Sequence, residues 1–231
     1  MIGFDPLTLS AAYILASMSA AECPAQGPIA VDVQLTVRDS PYVTNMTAVE
    51  MNKAFRNDTN TTLSTDRWII DGLTRSSFQS QVSGNYASVT KPMTGETCFA
   101  LTSVSFNIVF APVIYVASDF QGMACRHSVV LTHEKHHVDT AERTLTDYIP
   151  DMKKAIERYT ETLAPQGPFA AGDVQPHIQA LFRQVSDAMK PQWEEMMTLN
   201  RQRQAAIDTE ANYRRETAMC PGQFPKFDGS K

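Results

Sequence analysis

Four of the five histidines in this 231-residue chain lie between His127 and His137, and among them stands His133-Glu134-Lys135-His136-His137. Two histidines four apart, with a glutamate directly after the first, form the spacing of the His-Glu-x-x-His zinc motif. On a helix, residues four apart are separated by about 40° around the axis, so both imidazoles can address one ion. The glutamate beside them can hold a water polarised by that ion and take its proton. The residues therefore predict Zn²⁺ as cofactor, His133 and His137 as its ligands and Glu134 as catalytic base. The reaction expected is hydrolysis of peptide bonds in a protein or peptide substrate.

A helix has to present these side chains inward. Residues 129–149 contain neither Pro nor Gly and read as one continuous helix. Val130, His133, Glu134, His137, Val138, Ala141, Leu145 and Tyr148 share one face at the 3.6-residue period. Lys135, Asp139 and Arg143 fall opposite, with the i,i+4 charge pairing of a solvated surface. His136 lies nearer that outer side and is not assigned as a ligand.

A catalytic zinc needs a third protein ligand and an open position. Glu142 lies about 140° around the helix from His137 and points away. A break at Pro150 would place Glu157, with Glu161 one turn on, on a following helix of residues 152–163. Alternatively, residues 164–168 (Ala-Pro-Gln-Gly-Pro) stop the helix and turn the chain. Residues 174–219 then read as one long helix, kinked at Pro191. Antiparallel pairing about the turn brings the histidines near residues 200–208. Asp208 is the first candidate from that zone, with Glu157 next and Glu210 nearby. Arg201 and Arg203 would orient or charge-stabilise the site.

The run His133-Glu134-x-x-His137-x-Asp139-x-Ala141-Glu142 resembles the extended zinc motif of a bacterial family of secreted zinc-dependent proteases, catalogued as a domain of unknown function. A weaker similarity lies upstream, from Cys98 through Val104 to Pro112. The resemblance covers roughly residues 98–215, with specific motif support only at the zinc helix. It implies a secreted or periplasmic protein with a zinc-peptidase site. The chain departs from the family pattern at two places. His136 replaces the glycine of Glu-x-Gly-His, and the stretch around Asp208, Thr209 and Tyr213 lacks the family's histidine. A competing expectation is therefore a non-catalytic or inactive metal-binding protein of the cell envelope, whose helical hairpin presents a binding surface.

Cys23, Cys98, Cys125 and Cys220 are widely spaced, with no Cys-x-x-Cys pair, which disfavours a zinc ribbon or a redox dithiol. An even count suits two disulfides in an exported protein, and three pairings are open. Residues 7–21 are mostly apolar and end in Ser19-Ala20-Ala21. They read as the core and cleavage site of a signal peptide spanning residues 1–21, although the first basic residue is Arg38. Localisation is expected to be secreted or periplasmic.

The strand-rich part spans residues 22–122, the helical part 123–219 and a tail 220–231, all within one domain. Residues 1–127 carry 17 charged side chains and residues 128–231 carry 28, so the helical part is the more solvated. Residues 29–37 alternate as a strand, and residues 47–55 read as a short helix capped by Asn45 or Thr47. Residues 57–60 form a polar loop. Residues 68–85 give one or two exposed strands broken at Gly72 and Gly84. In residues 98–118, Val104, Phe106, Ile108 and Phe110 alternate before Pro112, which marks an edge or bend. The expected fold class is α+β, with an N-terminal antiparallel sheet and short helix followed by a long antiparallel helical hairpin. A net charge of -5 gives no basic footprint for nucleic acid, and no apolar run is long enough to span a membrane.

Overall fold

The computed structural model describes Cys23, residues 25–55 and residues 71–224. The expected signal segment, the loop at 57–60, Trp68 and most of the tail lie outside these residues.

The sheet is organised by one strand. Strand β4 (Thr97–Val116) is flanked by β1 (Ala30–Val37), β2 (Tyr42–Val43), β3 (Gly72–Thr90) and β5 (Gln166–Phe169). From Val104 to Val116 it alternates strictly: Val104, Phe106, Ile108, Phe110, Ile114 and Val116 are buried. Side chains of period two that are apolar on one face select a strand with that face on the core.

The expected antiparallel sheet is corrected here. Strands β1 and β2 run parallel to β4, whereas β3 and β5 run antiparallel to it, so the sheet is mixed. Parallel pairing arises because the chain leaves β1 and β2 and returns to the sheet through α1 (Ala48–Phe55) and β3 before laying down β4. Tight hairpins, by contrast, always give antiparallel neighbours.

Pro112 neither bends the strand nor puts it at an edge. On that side Phe110 O accepts from Arg38 N at 2.8 Å, and Ile114 N donates to Pro41 O at 2.9 Å. Alternation places the amide that Pro112 lacks in the gap between β1 and β2, where no partner is lost. Gly72 is the first residue of β3, but Gly84 does not break it, since the strand is continuous over 19 residues. Both glycines serve close approach. A Cβ on Gly84 would lie 2.0 Å from Ser103 O, and one on Gly72 would meet Val130 and Glu134.

Helix α1 forms where the sequence places it. Thr47 Oγ1 accepts from Glu50 N at 3.2 Å while Thr47 N donates to Glu50 Oε2 at 2.7 Å, a reciprocal capping box. Its buried Ala48, Met51 and Phe55 make a small cluster with Ala117 and Phe120.

The helical part is also corrected. Helix α2 (Ala124–Thr160) runs 37 residues straight through Pro150. The stop read at residues 164–168 leads into β5, which returns to pair with β4, so the chain does not form a simple hairpin. The expected long helix is three: α3 (Val174–Ala188), α4 (Lys190–Ala205) and α5 (Glu210–Ala218). Pro191 sits in the first turn of α4, where it lacks no hydrogen bond. Helix α2 packs on β1, β3 and β4, and α4 packs on α2. One core joins the inward face of β4 to Val130, Val138, Ala141, Leu145, Met152 and Ile156 of α2 and to Ile178, Leu181 and Val185 of α3.

Two disulfides are present, Cys23–Cys98 and Cys125–Cys220. Among the described residues no helix is long and apolar enough to cross a membrane.

Candidate metal centre

The stripe read on α2 is the buried one. His133, Glu134 and His137 are 7%, 5% and 9% exposed, whereas Lys135, His136, Asp139, Glu142 and Arg143 lie on the exposed side. The packed neighbours Val130, Val138 and Ala141 fix the helix rotation that turns the two imidazoles the same way.

Opposite them, α4 ends and the chain breaks before α5. The break is made by side chains. Thr209 caps α5 by accepting from Asn212 N at 3.2 Å. Asn212 Nδ2 donates to Ile207 O at 2.9 Å, and Thr209 N donates to the same carbonyl at 2.9 Å, which tightens the turn past the end of α4. Asp208 stands in this break, and its Oδ1 lies 3.2 Å from His133 Nε2 and 3.1 Å from His137 Nε2. The two Nε2 atoms are themselves 3.1 Å apart. Three ligand atoms thus form a nearly equilateral triangle that can hold a metal ion.

The outer ring nitrogens explain why the inner ones face the triangle. His133 Nδ1 donates to Glu216, 3.0 Å from Oε2. His137 Nδ1 donates to Gln204 Oε1. Gln204 is oriented by its own amide, which donates to His137 O at 3.0 Å and to Asn200 Oδ1 at 3.3 Å. Both Nδ1 atoms therefore carry protons, and both Nε2 lone pairs point inward. Outer partners of this kind set tautomer and ring orientation in metal sites.

Two lone pairs and a carboxylate at such spacing repel unless a cation lies between them. In the metal-free chain the cation is a proton. Burial pulls the His133 pKa down, but the hydrogen bonds to Asp208 and Glu216 and the nearby Glu134 charge outweigh it and push it up to about 10. His137 is also raised, against its burial, by Asp208 and Glu134. Asp208 is buried, which alone would raise it, yet the two histidines and the Tyr213 hydroxyl hold it far below the usual carboxylate range.

Glu134 lies against β3. Thr74 Oγ1 is 2.9 Å from both Glu134 Oε2 and Glu134 O. Gly72 leaves the space: a Cβ there would lie 2.6 Å from Glu134 Oε1. Burial raises the carboxyl, opposed by the charges of His137 and His133. Tyr213 donates to Asp208 Oδ1 at 2.8 Å, and its ring lies 5.1 Å from that of His133. Burial and the Asp208 charge push its phenol far up, so it stays protonated.

Of the carboxylates considered from sequence, only Asp208 reaches both imidazoles. Glu142 and Glu157 on α2 and Glu161 just past its end are exposed, and Glu157 faces Lys153 at 4.0 Å. The helix break at Pro150 that would carry Glu157 to the site does not occur. Glu210 pairs with Arg214 at 2.5 Å on the surface. Arg203 bonds Asp147 at 2.8 Å, and Arg201 bonds Thr198 at 2.8 Å, so neither touches the triangle. His127 meets the Tyr42 hydroxyl at 2.7 Å instead.

Sequence reading missed Gln204, Glu216, Thr74 and the supporting role of Gly72. A signal for Gln204 existed: Asn200, Gln204 and Asp208 are polar at steps of four along a helix end that must face α2. Glu216 and Thr74 carry no pattern of their own. No family model, no curated protein and no solved structure matches this chain.

Proposed function

We propose that the protein is a zinc-dependent peptidase of a secreted or periplasmic compartment. The observation that carries this reading is the triangle of His133 Nε2, His137 Nε2 and Asp208 Oδ1, with edges of 3.1–3.2 Å. Tetrahedral zinc with bonds of about 2.0–2.1 Å separates its ligands by roughly 3.3 Å, so the residues fit one face of that tetrahedron. Two imidazoles and a carboxylate are also a donor set of catalytic zinc, which leaves a fourth position open.

When bound, the metal would supply a Lewis acid that polarises a carbonyl and eases deprotonation of water. The chain's own residues do the rest. Glu134, held by Thr74 and raised by burial, accepts a proton from the attacking water and passes it to the leaving amine. Tyr213 keeps its proton and donates a hydrogen bond to Asp208 Oδ1, holding that carboxylate at the triangle. A polypeptide substrate is favoured by β3, which starts beside Glu134. Among the described residues β3 pairs only through its β4 side, so the other edge can accept an extended chain as an added strand. Export agrees with the two disulfides, which persist in oxidising compartments.

A second reading is a metal-holding envelope protein without catalysis. It is favoured by the closure of the site, in which every imidazole nitrogen already has a partner within the chain. Zinc content and cleavage of a denatured, casein-type substrate, measured for wild type and Glu134→Gln, separate the two. The peptidase reading expects equal zinc in both and cleavage only by wild type. Equal zinc with equal residual activity in both proteins rejects Glu134 as base.

A further inference from the structure

We propose that the Cys125–Cys220 disulfide is a redox latch on the metal centre, holding α5 over His133 so that metal affinity depends on its oxidation state. The proposal rests on the metal-binding part of the reading above and not on catalysis.

Helix α5 supplies two site residues: Tyr213, which bonds Asp208, and Glu216, which bonds His133 Nδ1. Yet α5 buries none of its nine residues, so apolar packing cannot hold it there. A nine-residue helix is too short to persist by propensity alone. Its attachments are polar contacts at its start, the bonds of Tyr213 and Glu216 to the site, and a covalent link just past its end. Cys220, which is 2% exposed, follows α5 and is bonded to Cys125 in the first turn of α2. The same helix carries His133 two turns later. The cross-link therefore fixes the end of α5 relative to the imidazole that Glu216 orients. Beyond it, Gln223 accepts from Arg126 N at 3.1 Å, and Phe224 lies 4.8 Å from the Arg126 guanidinium, so this junction continues into α2. The other disulfide, Cys23–Cys98, lies at the start of β4 and touches none of the site residues.

Cys125 is exposed and accessible to a thiol. A dithiol reductant attacks through one thiolate to form a mixed disulfide, releasing the partner cysteine as thiolate. The second thiol then closes the reductant's own disulfide and frees the other cysteine. Two electrons and two protons pass to the cysteine pair, and the reductant is oxidised by the same amount. The freed α5 then withdraws Glu216 and Tyr213, and His133 loses its outer partner. Loss of such partners weakens metal binding by about 10–100-fold.

The test is zinc affinity, read by competition with a chromophoric chelator, for oxidised wild type, Cys125→Ser/Cys220→Ser and Cys23→Ser/Cys98→Ser. The expected results are about tenfold or greater weakening in the first double variant and a change within about twofold in the second. Glu216→Gln should weaken zinc in the oxidised protein and add little in the Cys125→Ser/Cys220→Ser background, because both act through one contact. Amide exchange in wild type, before and after reduction, should rise across residues 210–218 while α2 stays protected, which keeps the proposal testable should the double variant fold poorly. Unchanged zinc affinity, full additivity or unchanged exchange overturns it. Zinc binding indifferent to the disulfide removes only this proposal, whereas no zinc binding by oxidised wild type removes the metal reading with it.

Discussion

Helix α2, which carries His133, Glu134 and His137, has fourteen buried residues and lies along the sheet, whereas α5, which carries Tyr213 and Glu216, has none. One wall of the metal centre is thus part of the hydrophobic core, and the other is attached by side-chain caps and a cross-link. Asp208 stands between them, placed by the break that Thr209 and Asn212 stabilise. The difference separates two tasks. The inner wall fixes the angle between the imidazoles at the cost of burying their charge, and the outer wall supplies the compensating acceptors. Changes to the inner wall should therefore remove the site, and changes to the outer wall should tune it.

The largest effect belongs to the triangle itself. His137→Ala and Asp208→Ala should each lose stoichiometric zinc after gel filtration, by metal analysis, while circular dichroism stays native. Retention of one equivalent by either would break the distinction between ligand and support.

Proton competition comes next. His133 is raised to about 10 in the metal-free chain, so a zinc ion binding there would have to displace a proton at neutral pH. Zinc affinity should strengthen as pH rises from 6 to 8, by up to about tenfold per pH unit for each proton displaced. The same shift gives the metal-free protein stability that is fully present below about 6.5, the ordinary histidine value, and is lost as pH rises through about 10. Thermal melts across that window should fall for the metal-free protein and fall less for the zinc-loaded one.

Substitutions of the groups that hold the outer ring nitrogens should be milder. Glu216→Ala or Gln204→Ala is expected to weaken zinc by about 10–100-fold without abolishing it, by the same chelator competition. Gly72→Val sharpens the inner side: its Cβ would lie 2.5 Å from Val130 Cγ1 and 2.6 Å from Glu134 Oε1. Overpacking there should destabilise by about 1–3 kcal/mol in urea unfolding. Smallest of all, Glu142→Ala and Glu157→Ala, on the exposed face of α2, should change stability by no more than about 0.5 kcal/mol and leave zinc content unchanged.

Much of the inner wall was legible in the sequence because periodicity encodes it. The alternation of Val104, Phe106, Ile108 and Phe110 marks a buried strand face, and the stripe from Val130 to Tyr148 marks the buried helix face. Strand direction was not legible, since alternation reads the same for parallel and antiparallel neighbours. Pro112 misled because its cost depends on what lies opposite, a gap between β1 and β2 that only the fold reveals. Pro150 misled in another way, because tertiary packing of Met152, Ala155 and Ile156 carries the helix past it. The outer wall was legible only as far as Asp208. The break after α4 contains neither Pro nor Gly and is made by Thr209 and Asn212, so Glu216 gave no sign that it turns back toward His133.

Zinc K-edge absorption on the loaded wild-type protein is the most direct test of the centre. The account predicts a shell of nitrogen and oxygen only, at about 2.0–2.1 Å, with the outer scattering of two imidazoles and a changed shell in Asp208→Ala. A sulfur ligand, fewer than two imidazoles, or a shell unaffected by Asp208→Ala would contradict it.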